Sequence, residues 1–402
     1  MRRTPTPEEE LILLLCGTAE RRRGANPRIE VLAREADYEA LAALMSRQLL
    51  LPLLGKRLVE TMPGQAPPSF VQLLRETTAA ARQRGIVLET LGAQVRSDLS
   101  QAGVEALPLK GAALARSLYG DPGMRLAKDI DILVEAEQLE RAADVLARRG
   151  YRRVDAVQGD LPRLHLSLEH ERSELPPVEI HWRIHWYETQ FSRRMLRRSA
   201  AVPEGLRAQP SEELASLLIY FARDGLTGLR LATDVAAWWD LHGAAEGAPP
   251  LDPVARETPE LRPALSAAAL TLDRLVGVPA DAILSERERS GSWRSFAAIR
   301  LANWTVTGDW DQINANLTLV DLLLSPRGGN WSFAKRSLFP SGTEVSKMYR
   351  LPPSAVGRLA FWRLAHGPKL IARYLIALWR VRGGRDWMNL PASAGQATFD
   401  AG

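Results

Sequence analysis

"GMRLAKDIDILV" (residues 123–134) sets two aspartates one residue apart inside an otherwise apolar run. Ile130, Ile132, Leu133 and Val134 read as a buried strand. Alternate side chains of a strand share a face, so Asp129 and Asp131 point one way while Ile130 and Ile132 pack the other. Two carboxylates at the buried end of a strand repel each other and lose hydration unless a cation compensates them. A hard divalent ion with oxygen ligands and some retained water meets that need, which suits Mg²⁺. "VEIHW" (178–182) supplies a third acid: Val178, Ile180 and Trp182 alternate inward and leave Glu179 and His181 together on the other face.

The pattern predicts that Asp129, Asp131 and Glu179 hold metal, and that the metal holds a nucleotide's phosphates. A lone Asp-X-Asp is weak evidence, and Glu179 alone could pair with an arginine at a surface. The reading gains from what surrounds it. Residues 104–187 alternate short strands and helices: a strand over Glu105–Leu109, a turn at Lys110-Gly111, a helix through Leu118 and a "GDPG" turn at 120–123. After Asp-X-Asp come an amphipathic helix Glu137–Arg149 stopped by Gly150, then strands in "YRRV", "HLSLEHE" (165–171) and "PVEIHWRIHW" (177–186). "RSELPP" between the last two suits antiparallel pairing, so the sheet is mixed. His185 shares the Glu179 face only if that strand runs on to Trp186.

Outward from this core the pattern is helical. Glu8–Arg21, Ile29–Met62 with one or two breaks, and Phe70–Leu99 as one long helix precede it, with "TMPGQAPPS" (61–69) as a break. After Pro203 come Ser211–Ala222, Leu229–Leu241, Leu261–Leu275, Trp293–Trp304 and Leu317–Leu324. "HGAAEGAPPLDP" (242–253) reads as a loop, and "SPRGGN" and "LFPSGTE" as turns. A basic, aromatic stretch from Ala355 to Val381, interrupted at Pro368, closes the chain. The expected fold class is α+β: an N-terminal helical region (1–103), a mixed-sheet α/β core (104–203) and a C-terminal helical domain (204–402).

Composition is that of a globular chain, 46% hydrophobic and 25% charged over 402 residues. Cys16 alone excludes a disulfide framework and reads as a buried thiol. Glu8, Glu9 and Glu10 interrupt the opening, which does not read as a signal peptide, and no window suits a membrane span. A soluble cytoplasmic protein is expected. The net charge of +5 is unevenly placed: nine Lys or Arg and no acid lie between Val345 and Arg385, and "FSRRMLRRS" (191–199) packs four arginines into six positions. Each reads either as a solvated helix face or as a platform for a polyanion such as RNA or acidic lipid.

"LPLKGAALARSLYGDPGMRLAKDIDILV", "LARRGY" and "VEIHW" together resemble the bacterial uncharacterised nucleotidyltransferase family, within the DNA polymerase β-like nucleotidyltransferase superfamily. The close resemblance covers roughly residues 104–187, and "GLRLATDVAAWWDL" and "LFPS" extend it into the helical half. It implies the polymerase β-like fold and Mg²⁺-dependent transfer (Mn²⁺ as the alternative ion) of a nucleotidyl group. The donor would be a nucleoside triphosphate such as ATP, the acceptor a hydroxyl or phosphate, and pyrophosphate would leave. Asp129 and Asp131 match the metal pair, and Glu179 the third acid, which could also deprotonate the acceptor. Gly111 matches the turn glycine that lets backbone N–H groups reach phosphate at a helix start. Ala112 follows it where the superfamily has serine or glycine, so no hydroxyl grips the phosphate there.

Lys110 either neutralises the triphosphate or is a strand-end lysine in water. Arg125 either binds γ-phosphate or buttresses Asp129. Lys128 alternates to the opposite face, toward solvent or packing. His181 is either an acceptor or phosphate contact or a hydrogen-bonded core histidine. Arg223 and Asp224 stand where relatives carry a histidine, and Asp234 reads as a helix-face acid with a place in the cleft as the alternative. A serine hydrolase, a P-loop or dinucleotide fold and a zinc site are disfavoured, because no Gly-X-Ser-X-Gly, glycine-rich phosphate loop, His-Glu-X-X-His or cysteine pair occurs. His165, Ser167, Glu169 and Glu171 share one face of a strand that reads as an exposed edge, with a metal site on that face as the alternative. The rivals are a catalytically inactive binding or regulatory module of the same fold, a toxin-like tRNA-modifying enzyme, and a tailoring enzyme acting on a peptide or small metabolite.

Overall fold

The structure, a computed structural model, describes residues 5–154, 164–188, 190–202, 205–243, 250–290, 293–302, 310–326, 334–335, 337–352 and 354–382. It opens with α1 (Pro7–Cys16), α2 (Ala19–Glu35), α3 (Tyr38–Arg47) and α4 (Leu51–Thr61). Glu8–Arg21, read as one helix, is two. Gly17 closes α1, and the Thr18 hydroxyl accepts the Arg21 N–H to cap α2. α5 (Pro68–Gln101) is one unbroken helix of 34 residues, as expected, and spans about 50 Å.

The core follows as β1 (Leu107–Pro108), α6 (Ala112–Tyr119), β2 (Ile130–Leu133), α7 (Leu139–Ala147), β3 (Tyr151–Arg153), β4 (His165–His170) and β5 (Val178–His181). Strand order is β1-β2-β5-β4-β3, with β2 and β5 parallel and the other pairs antiparallel. This is the mixed-sheet α+β fold with helical flanks that the sequence predicts. β1 is shorter than expected; Pro108 sits on this edge strand, where its missing N–H is tolerated, and the Leu109 N–H donates to the Asp131 carbonyl at 3.2 Å. β5 ends at His181 rather than Trp186: Ile184 and Tyr187 are buried in the helical core, three residues apart, and draw the chain off the sheet. β4, read as an exposed edge, lies inside the sheet between β5 and β3.

Beyond it lie α8 (Phe191–Arg197), the hairpin β6 (Ala200–Val202) and β7 (Gly205–Arg207), α9 (Pro210–Arg223), α10 (Leu229–His242), α11 (Asp252–Glu257) and α12 (Arg262–Val276). Then come α13 (Ala280–Ile283), α14 (Glu286–Arg289), α15 (Trp293–Leu301), α16 (Trp310–Leu324), α17 (Gly342–Met348) and α18 (Val356–Arg382). α18 runs through Pro368 without the expected interruption. Gly367 precedes that proline, and its missing Cβ removes half of the clash that normally bars a helix there. Residues 244–249 of the expected loop, Trp304 and most of "SPRGGN" fall outside the described residues. Among the described residues no helix is long and apolar enough to cross a membrane.

Two cores organise these elements. One lies between the sheet and helices α5 and α7: Ile130, Ile132, Val178, Ile180 and Leu168 face Leu88, Val95, Leu99, Val145 and Leu146. Each such fully buried side chain contributes about 1.5–3 kcal/mol. The other joins α1–α4 to α9, α10 and α12, and takes in Leu107, Leu114 and Leu133 from the sheet region. Because side chains alternate, burying Ile130 and Ile132 against α5 and α7 commits Asp129 and Asp131 to the face turned toward the helical core.

Candidate active site

β2 and β5 pair in parallel with Asp131 directly beside Glu179 and Leu133 beside His181. Asp129 lies just ahead of β2, two residues before Asp131, and so on the same face. The approach to it is held from two sides. Arg84 of α5 donates to the Ala127 carbonyl at 3.1 Å, and Arg230 of α10 to the Leu126 carbonyl at 3.0 Å. Lys128, which follows them, is exposed, the solvent alternative of its reading. Asp129, Asp131 and Glu179 can each place a carboxylate oxygen within 4.8 Å of the others. The three acids therefore converge.

Asp131 is 3% exposed, and its Oδ1 accepts from the Lys110 ammonium at 3.1 Å and from His181 Nε2–H at 3.0 Å. Burial alone would raise its carboxyl; the His181 hydrogen bond and the Lys110 charge outweigh burial and hold it well below the usual carboxylate range. Asp129 moves the other way, raised by burial and by the neighbouring Asp131 charge. Glu179 is lowered: burial opposes, but the His181 hydrogen bond and His165 prevail. Its Oε2 lies 3.3 Å from the same His181 nitrogen. His181, between two acids and 1% exposed, is a hydrogen-bonded buried histidine.

Lys110 is partly open to solvent and lies 5.3 Å from the centre of the Tyr220 ring on α9. Gly111 caps α6 with φ +77° and ψ −141°, a conformation reserved for glycine. The turn lies beside the start of β2, where a Cβ on Gly111 would be at ordinary van der Waals distance, 3.5 Å, from the Asp129 carbonyl oxygen. Lys110, Ala112, Asp129 and Asp131 line a cleft of about 640 Å³, whose other walls include Leu88 and Arg96 of α5 and Arg207 of β7.

Arg125 corrects an expectation. It is buried, and its Nε donates to Asp234 Oδ2 at 2.8 Å, while Tyr119 donates to the other oxygen at 2.9 Å. It neither lines the cleft nor buttresses Asp129, because a guanidinium removed from water is held by its counter-ion. Asp234 is correspondingly neither a surface acid nor a cleft acid. The arginines of "FSRRMLRRS" are each paired with an acid, so the cluster on α8 is less cationic than its sequence suggests. Arg193 and Arg197 meet Glu135 at 2.8 and 2.9 Å, and Arg194 and Arg198 meet Glu257 at 3.0 Å each. His185 has left the Glu179 face and lies 2.8 Å from Asp321 of α16.

The structure adds two residues to the site. His165 pairs with His181 in the β4–β5 register, with ring centres 4.8 Å apart. The alternation of "HLSLEHE" put it on a face, but not on this one. Tyr220 comes from a helix 89 positions after Asp131, and nothing in its local sequence sets it apart from core aromatics.

The geometry is that of an acidic cluster toward the N-terminal end of the two parallel strands, beside a glycine turn and an open cleft. No curated protein matches the chain. The model of a family described as uncharacterised nucleotidyltransferase matches residues 34–276, from the end of α2 to the end of α12, and so covers the sheet, the site and both sides of the helical core. With more than half of its 402 residues inside that match, the chain belongs to the uncharacterised nucleotidyltransferase family.

Proposed function

We propose that this nucleotidyltransferase moves a nucleotidyl group from a nucleoside triphosphate to an acceptor hydroxyl or phosphate, with Mg²⁺ held by Asp129, Asp131 and Glu179. The convergence of the three carboxylates beside the cleft carries this reading. The donor set fits a hard cation. Asp131 Oδ2 is buried with no hydrogen-bond partner, an arrangement that a cation on that oxygen would relieve. Bound Mg²⁺ would supply Lewis-acid stabilisation of the charge that develops on the phosphates.

The chain's own groups supply the rest. Lys110 lines the cleft beside the α6 start, where its charge would meet that of the triphosphate. The Gly111 turn brings backbone N–H groups of the first turn of α6 to the same place. Glu179, on the far side of Asp131 from Lys110 in the sheet, is placed to take the acceptor proton, and His181 orients both acids. As the acceptor oxygen bonds to the α-phosphorus, the bond to the bridging oxygen breaks and pyrophosphate departs.

Incubating the chain with Mg²⁺, each of four α-labelled triphosphates and pools of RNA, peptide or small metabolites tests the reading. Label transfer with pyrophosphate release is expected. Asp131→Asn should abolish it, with the circular-dichroism spectrum unchanged. Undiminished transfer by that variant sinks the mechanism.

A further inference from the structure

Glu179 faces two histidines as well as the two aspartates. We propose that His165, Glu179 and His181 form a separate site for a borderline divalent transition ion such as Zn²⁺, sharing only Glu179 with the acid cluster. The three side chains can each place one donor atom within 4.8 Å of the others. Antiparallel pairing sets His165 against His181, which puts both imidazoles on the site face. His165 Nε2 lies 3.8 Å from Glu179 Oε1, and His181 Nε2 lies 3.3 Å from Glu179 Oε2, so the carboxylate offers a different oxygen to each histidine. Metal on His181 Nε2 would displace the hydrogen bond that this nitrogen makes to Asp131 Oδ1, 3.0 Å away.

Donor chemistry separates this set from the acids. Mg²⁺ prefers oxygen ligands and keeps several waters, whereas imidazole nitrogen suits Zn²⁺ and its neighbours in the transition series. Two histidines with one carboxylate is also a donor count that catalytic zinc sites use. Of the two imidazoles, His165 is the less enclosed. Its side chain keeps an open side, at 15% exposure, through which an ion can enter. No short motif announces the site, because its residues come from two strands that only the register brings together.

One consequence rests on the transfer reading above: an ion on the histidines draws Glu179 away from Mg²⁺, so Zn²⁺ should inhibit transfer by competition.

The test uses the tag-free, metal-free full chain. ZnCl₂ is titrated calorimetrically, and Co²⁺ is followed by its visible ligand-field bands. One Zn²⁺ per chain is expected, together with the strong bands of a four- or five-coordinate nitrogen-containing site. His165→Asn should weaken Zn²⁺ by at least about tenfold, and by a much larger factor than it changes Mg²⁺ binding. Asp129→Asn should weaken Mg²⁺ and leave Zn²⁺ bound. Unchanged Zn²⁺ affinity in His165→Asn overturns the site, as does a Co²⁺ spectrum with only the faint bands of six oxygen ligands. The Co²⁺ measurement on the unaltered chain decides even if the variant fails to fold. Zn²⁺ binding as expected without any Mg²⁺-dependent transfer would count against the transfer reading alone.

Discussion

Asp131 Oδ1 accepts from Lys110 and His181 together, which makes its charge part of the stability of the folded chain as well as of the site. Its pKa is lower folded than unfolded. The stability it contributes is therefore present above about pH 4 and is lost as pH falls through the depressed folded value. Acid unfolding followed by circular dichroism should show the unaltered chain losing stability more steeply below that pH than Asp131→Asn does. Parallel curves would mean that the pairing contributes nothing. The Arg125–Asp234 pair makes a second prediction at this scale. Asp234→Ala leaves a buried guanidinium without its counter-ion and should cost about 3–5 kcal/mol in urea unfolding. Arg125→Met combined with Asp234→Leu should recover most of that loss, because the penalty lies in the orphaned charge. Both residues were visible as charged positions in the sequence, but their burial was not. A local pattern shows that a residue is charged, not which distant group neutralises it.

α5 is the element against which the site is assembled: its apolar face packs under the sheet, and its Arg84 holds the strand approach. Where it crosses the "GDPG" turn, the two backbones come very close. A Cβ on Gly85 would lie 2.6 Å from the Pro122 carbonyl oxygen, whereas one on Gly92 would meet only the end of Arg96 at 3.3 Å and Ile130 at 3.6 Å. Helix propensity favours alanine at both positions by about 1 kcal/mol. At Gly85 the clash with backbone should overturn that gain and leave a net loss of about 1–2 kcal/mol, whereas Gly92→Ala should be neutral or stabilising. Thermal unfolding of the two variants checks the contrast. Equal effects would show that the close approach does not constrain α5. The length of α5 was legible in its apolar spacing. Its contact with residues 120–123 was not, since a glycine inside a long helix reads only as a weak point.

Over the whole molecule, the N-terminal and C-terminal helices share one core across the sheet. α1 and α2 pack on α10, and α1 also on α12. Leu11, Ile12 and Leu15 are fully buried there together with Leu218, Ala232 and Leu272. Removing residues 1–67 strips one side of that core and exposes a large apolar surface. The shortened chain should lose cooperative unfolding and aggregate or be digested rapidly by protease, although every site residue remains. A shortened chain with a sharp thermal transition and full Mg²⁺ binding would show that the C-terminal helices hold the site alone. The match to the family model begins at residue 34, so α3, α4, α9, α10 and α12 of this core lie inside it and α1 lies outside.

What the sequence by itself determined is whatever repeats over two to four residues. Strand alternation put Asp129 with Asp131 and Glu179 with His181, helical spacing marked the flanks, and the glycine at 111 marked the turn. These are local consequences of backbone geometry. The tertiary structure alone decided that the two acid strands are parallel neighbours, that β4 is internal and carries His165 to the site, that Arg125 is spent on Asp234, and that the arginines of α8 are spent on Glu135 and Glu257. Register, burial and charge pairing depend on groups tens of residues apart, and those distances close only when the two cores form.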